Sequence, residues 1–177
     1  MLKETSIANK LALGTVQFGI PYGISNENGQ INSREVENIL SVARQNGVDT
    51  LDTAISYGDS EAVLGRQSLE GISIITKLPE VPLNCDNLTD WVNSQIKNSL
   101  SRLNISSLDG VLLHKPHQLL ESFGDKLYSA MNSLKEEGLV NRIGISIYNV
   151  DELEIFCEKF KYDLIQAPFS IFDRRLD

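Results

Sequence analysis

Residues 109–146 read DGVLLHKPHQLLESFGDKLYSAMNSLKEEGLVNRIGIS, and this stretch decides the fold. Its opening, Asp109–Leu113 (DGVLL), is a short run that is apolar after its first residue. Leu127, Met131 and Leu134 then recur at helical spacing, Gly138 stops the helix, and Arg142–Ser146 (RIGIS) forms a second mainly apolar run. Strand, helix and strand in that order mean two parallel strands joined by a right-handed crossover. Strands that are apolar nearly throughout, rather than at alternate positions, are covered on both faces.

The same unit repeats outward in both directions. Upstream, Leu11–Thr15 (LALGT) is a strand candidate followed by a Gly- and Asn-rich loop through Gly29. Asn32, with Glu35 three residues later as in a capping box, opens a helix carrying Val36, Ile39, Leu40 and Ala43 that Asn46-Gly47 stops. Val48–Ala54 (VDTLDTA) is the next strand, a short helix follows at about Glu61–Gln67, and Ile72–Thr76 (ISIIT) is a third strand. Trp91, Val92, Ile96, Leu100 and Leu103 make the apolar stripe of another helix. Downstream, Asn149 and Glu152 form a second capping box before the last helix, and Leu164–Ala167 (LIQA) is the sixth strand.

About six βα units without a linker predict a single domain over residues 1–177, of the α/β class, with a TIM (β/α)8-type barrel as its architecture. A closed barrel of eight units takes about 250 residues and rarely fewer than about 200. With 177 residues the barrel is expected to be incomplete, strands seven and eight being absent. Its apolar strand edges would then favour aggregation or self-association.

Composition narrows the function. The net charge of −8 opposes nucleic acid and anionic membrane surfaces as partners. No apolar run approaches the length of a membrane span, and the N-terminus, MLKETSIANKLALG, lacks the apolar centre of a secretory signal. Cys85 and Cys157 follow no metal or redox spacing. Plain thiols in a reducing cytoplasm, with no metal, are the expectation.

Four polar residues stand at or just past the C-terminal ends of consecutive strands: Asp52, Tyr57 in SYGDSE, Lys77 and His114. In a (β/α) barrel those ends make one face, where active sites are built. Singly, each has a plain structural reading: a strand-end carboxylate, a loop tyrosine, a solvated lysine, a structural histidine. Jointly they fit one reaction, the reduction of a carbonyl. No side chain supplies a hydride, so a cofactor must. Tyr57 can give the proton, and a nearby ammonium on Lys77 favours its phenolate and so lowers its pKa. Asp52 would keep Lys77 charged against burial, and a neutral His114 would orient the carbonyl oxygen.

LDTAISYG (51–58), ITKL (75–78), GVLLH (110–114) and IGIS (143–146) resemble, in order, the signatures of the aldo-keto reductases, and the resemblance runs along the chain from Leu11. It implies a catalytic tetrad of Asp52, Tyr57, Lys77 and His114 with Tyr57 as general acid. It also implies NADPH, or NADH, across the C-terminal face of the barrel, a small-molecule carbonyl substrate, and no need for a GxGxxG loop. Ser146 and Gln166 match the family's carboxamide contacts, and the resemblance also counts Asp52 among the cofactor-binding residues. Ile147 stands where the family has Asn, so that contact is expected to be lost or replaced, while Asn149 reads better as a helix cap. GTVQFG (14–19) resembles the first cofactor- and substrate-facing loop, which brings Gly14 and Thr15 toward the nicotinamide ribose; tight packing accounts for a glycine at 14 equally well. APFSIFDRRL (167–176) resembles a bacterial subgroup. In the family, strands seven and eight hold much of the dinucleotide, so a non-catalytic barrel serving as a binding or regulatory module is the alternative. A lyase with a Schiff base on Lys77 is a third reading, one that leaves Tyr57 and Asp52 unexplained.

Overall fold

The computed structural model describes residues 11–174. Residues 1–10, most of the stretch read against a secretory signal, and residues 175–177, which include the end of APFSIFDRRL, lie outside the described residues.

Among the described residues, six strands form one parallel sheet in chain order: β1 (Ala12–Gly14), β2 (Thr50–Asp52), β3 (Ser73–Leu78), β4 (Leu108–Leu113), β5 (Val140–Ser146) and β6 (Leu164–Gln166). The expected strands are all there, some of them shortened. Between them run α1 (Val16–Gly19), α2 (Ser33–Gln45), α3 (Ser60–Leu64), α4 (Leu88–Leu103), α5 (Gly124–Glu136) and α6 (Val150–Lys159). Two elements are new relative to the sequence reading. The four-residue α1 falls in the expected loop, and a 3-10 turn covers Pro116–Leu120. Each is too short for an apolar period to show, and each is pinned by a buried side chain, Phe18 or Leu119. Among the described residues, no helix is long and apolar enough to cross a membrane.

In a flat sheet β2 and β6, four spacings apart, would lie about 19 Å from each other, farther than two side chains reach. Here the Gln166 side-chain amide at the end of β6 donates to Asp52 Oδ1 at the end of β2 over 2.9 Å. The sheet is therefore curled, and the fold is an incomplete (β/α)8-type barrel of six strands with helices packed outside. Val36 and Leu40 of α2, Val92, Ile96 and Leu103 of α4, Leu127, Met131 and Leu134 of α5, and Phe156 of α6 are buried in that outer layer. At the margins, Leu11, Leu13, Ile39 and Val42 line an open apolar recess beside β1, and Phe169, Ile171 and Phe172 are exposed after β6.

The helix caps bear on the site because they fix where the loops leave the strands. Asn32 Oδ1 accepts from the Glu35 amide at 3.0 Å, but Glu35 turns to Asn38 Nδ2 (3.3 Å), so half of the expected box forms. The box at Asn149 is complete, and Glu152 Oε2 there also takes the Tyr148 amide at 2.6 Å.

Gly144, the glycine of IGIS, shows why the motif needs that residue. It pairs with Leu164 across β5 and β6, and a Cβ placed on it would lie 1.7 Å from the Leu164 carbonyl oxygen. Gly144→Ala therefore pushes β6 off the sheet. The expected loss is about 1–3 kcal/mol, the range of an overpacked core, read as a lower urea midpoint. Amide exchange at Ile147, whose N–H donates to Gln166 O at 2.8 Å, should quicken with it. Unchanged exchange at Ile147 would refute the displacement.

Candidate active site

The strand register sets the site before any side chain is considered. Gly14 pairs with Asp52, and Ser146 pairs with Gln166. Lys77 lies one residue before the end of β3, and His114 follows the last residue of β4 with its amide donated to Leu78 O at 3.0 Å. Tyr57 sits in the turn after β2, its amide donated to Ala54 O at 3.0 Å.

The structure brings Asp52, Tyr57, Lys77 and His114 together. Lys77 is 2% exposed, and its Nζ donates to Asp52 Oδ1 at 2.7 Å and to Thr53 O at 3.0 Å. A buried ammonium of this kind is tolerable because its partners replace water. The same Nζ lies 5.1 Å from the centre of the Tyr57 ring. Tyr57 and His114 meet edge to face, with ring centres 6.0 Å apart. His114 Nδ1 is 3.1 Å from Ser56 Oγ.

The electrostatics depart from expectation at one point. Lys77 was expected to lower the Tyr57 pKa, yet burial, followed by the charge of Asp52 and the neighbouring Tyr148 and Tyr22, pushes it up to about 12. The Lys77 charge is taken up by Asp52, and burial of the phenol dominates. The proton is thereby held on Tyr57 near neutral pH, as a proton donor requires. The His114 pKa is lowered by burial, then by Lys77 and Lys115, against the opposing pull of Asp52, so its ring is neutral at that pH.

The other expected contacts divide. Gly14 is exposed and a Cβ there would meet nothing within 4 Å, so tight packing does not explain that glycine. Thr15 is buried, its amide and its hydroxyl both donated to Asp52 O at 2.9 and 3.0 Å. Its side chain thus steadies the Asp52 backbone. Ser146 is 6% exposed, and its hydroxyl has no hydrogen-bond partner among the described residues. Gln166 gives its amide N–H to Asp52, so β6 reaches the tetrad itself. Ile147 is 1% exposed and packs in the outer core, which explains why an apolar residue is accommodated there. Among the described residues, no group of three or more His, Cys, Asp or Glu is placed to hold a metal ion.

Sequence reasoning missed two parts of the frame. Gly19 packs backbone to backbone on the Tyr57 turn: a Cβ on it would lie 1.7 Å from Tyr57 O. Glu61 is 1% exposed and binds Thr76, Ser99 and Arg102. A carboxylate directly ahead of Ala62, Val63 and Leu64 is the signal that could have flagged it.

Comparison with known proteins follows the same lines. The aldo/keto reductase family matches residues 10–177. The chain is 25% identical to aldo-keto reductase YhdN of Bacillus subtilis over 193 aligned residues, covering 99% of this chain and 55% of that one. It is 24% identical to the NADH-specific methylglyoxal reductase of Escherichia coli, covering 96% of this chain and 57% of that one. It thus spans little more than half the length of these two relatives. Among solved structures, a Pseudomonas aeruginosa protein assigned to the aldo-keto reductases superposes with a TM-score of 0.75 at 27% identity, over 93% of this chain and 64% of that one. The thermostable aldo-keto reductase Tm1743 gives 0.71 at 26% identity, over 98% and 62%.

Proposed function

The chain belongs to the aldo/keto reductase family, and on that premise we propose that it serves the NAD(P)H-dependent reduction of an aldehyde or ketone to an alcohol, with Tyr57 as the proton donor. The observation that carries the reading is the joined set at the strand ends: Lys77 Nζ on Asp52 at 2.7 Å, with the Tyr57 ring over it and His114 against that ring. The reduced nicotinamide, when bound, supplies the hydride.

Each residue then has a part set by its surroundings. Tyr57 keeps its proton until a carbonyl oxygen gathers charge beside it. His114, neutral, donates a hydrogen bond to that oxygen and orients it. Lys77, fixed by Asp52 and Thr53 O, places a positive charge next to the phenol as it loses its proton. Ser146, with an uncommitted hydroxyl, and the open space over Gly14 suit a carboxamide and ribose at the mouth of β5 and β1. Gln166 would join them by exchanging its bond to Asp52. A Schiff base on Lys77 fits less well, since its ammonium is already committed to Asp52 and Thr53.

The test is carbonyl-dependent loss of reduced-nicotinamide absorbance with a panel of simple aldehydes, run with NADPH and with NADH. NADPH is the proposed donor; the Escherichia coli relative is named for NADH, so both belong in the assay. Alcohol formed in step with cofactor consumed supports the reading. Cofactor binding without any turnover would favour the non-catalytic alternative.

A further inference from the structure

Ser56 precedes Tyr57 and stands beside the His114 ring. Its hydroxyl oxygen is 3.1 Å from His114 Nδ1, a bond between residues 58 apart in sequence. Among the described residues Ser56 is the hydrogen-bond partner of the His114 ring, whose edge-to-face neighbour is Tyr57; no hydrogen bond is made at Nε2. Both ends of the contact stand on fixed backbone. On one side, Ile55 donates to Lys77 O at 3.2 Å and Tyr57 to Ala54 O at 3.0 Å. On the other, the His114 amide donates to Leu78 O at 3.0 Å. The hydroxyl is therefore held where it can serve the ring, although Ser56 is exposed.

A neutral imidazole has one N–H and one bare nitrogen, and the bond made at one nitrogen decides which the other is. A serine hydroxyl can give or take a hydrogen bond, so geometry alone allows both tautomers. The chemistry separates them. With the proton on Nδ1, the bare Nε2 would turn its lone pair toward the lone pairs of a carbonyl oxygen. With the proton on Nε2, that nitrogen donates to the oxygen, and Nδ1 needs a donor of its own. Ser56 is the donor in reach.

We propose that Ser56 is a positioning residue, donating its hydroxyl hydrogen to His114 Nδ1 and so holding the ring in the tautomer that carries its proton on Nε2. The proposal rests on the reductase reading for the side of the ring that meets substrate. Burial, Lys77 and Lys115 support it by keeping the ring neutral, since a doubly protonated ring has no tautomer to choose.

The sequence has two histidines, so His117→Gln leaves His114 alone in the spectrum. Nitrogen NMR of that protein at about pH 8, above the ordinary imidazole range, should show a protonated Nε2 and a bare Nδ1. Ser56→Ala should mix the two tautomers, and Ser56→Thr should restore the single one. In turnover, Ser56→Ala should lower kcat/KM about fivefold, the size of one neutral hydrogen bond, with Ser56→Thr recovering it. A proton on Nδ1 in the unaltered Ser56 protein, or an unchanged spectrum in Ser56→Ala, overturns the proposal. The spectrum needs neither cofactor nor turnover. Its failure is therefore distinct from failure of the reductase reading, which would appear as the absence of carbonyl-dependent oxidation of the reduced nicotinamide.

Discussion

Tyr57→Phe should reduce carbonyl turnover by about 10²–10⁴-fold, the usual contribution of a placed general acid, while leaving cofactor affinity nearly unchanged. The substitution removes one oxygen and keeps the ring. Packing against His114, the approach of Lys77 to the ring and the Lys77–Asp52 pair all survive it. A loss in kcat with cofactor binding intact would place the defect in proton delivery. The pH dependence gives a second reading of the same group. Tyr57 acts while protonated, so its contribution is full below its raised pKa and falls only as pH rises through about 12. The kcat/KM profile, which reports the free enzyme, should therefore show no Tyr57 limb between about pH 7 and pH 10. Turnover that survives Tyr57→Phe would remove Tyr57 as the acid.

The strands and the meeting of Asp52, Tyr57, Lys77 and His114 on one face were legible because both follow from local pattern. Apolar runs such as DGVLL and ISIIT, too short for a helix and set between helical stretches, read as buried strands, and their ends carry Lys77 and His114 into one face of a parallel sheet. Long-range approach was not legible. That Gln166 reaches Asp52 depends on how tightly six strands curl, a property of the closed set of contacts and not of LIQA or VDTLDTA. The direction of the Tyr57 shift was missed for a related reason. The sequence shows that an ammonium is near but not how deeply the phenol is buried, and burial decides the sign. Ser56 stands inside LDTAISYG, yet nothing local says that an exposed serine faces an imidazole 58 residues on.

Short α3 was legible as a helix, but not as the joint that fixes the Tyr57 turn. Two successive residues make that joint. Ser60 donates its amide to Tyr57 O at 3.1 Å, and its hydroxyl meets Thr15 O at 2.9 Å and Thr53 Oγ1 at 3.1 Å. Glu61 then ties the helix to β3 and α4. Its Oε1 accepts from Thr76 at 2.7 Å and Ser99 at 2.6 Å, and its Oε2 accepts from Arg102 Nε at 2.9 Å and Nη2 at 2.6 Å. All of the carboxylate's neighbours are donors, so the bonds are charge-assisted and point one way.

Glu61→Ala should therefore be the most destabilising single change in this part of the molecule. It leaves the buried hydroxyls of Thr76 and Ser99 without their acceptor and Arg102 without its partner. Breaking a buried ion pair costs about 3–5 kcal/mol. Because the Arg102 side chain is 35% exposed, water relieves part of that, and the expected loss is about 3 kcal/mol. Urea unfolding should show it as a lower midpoint with an unchanged slope. Glu61→Gln should cost less: its carbonyl oxygen can still accept from Thr76 and Ser99, while its amide meets the donors of Arg102. The defect should also reach the chemistry, since α3 holds the Tyr57 carbonyl through Ser60. On warming, kcat of Glu61→Ala should fall before the core unfolds, as the turn loosens locally. A loss below about 1 kcal/mol, the worth of a surface ion pair, would mean that the network is replaceable and that Ser60 alone secures the turn.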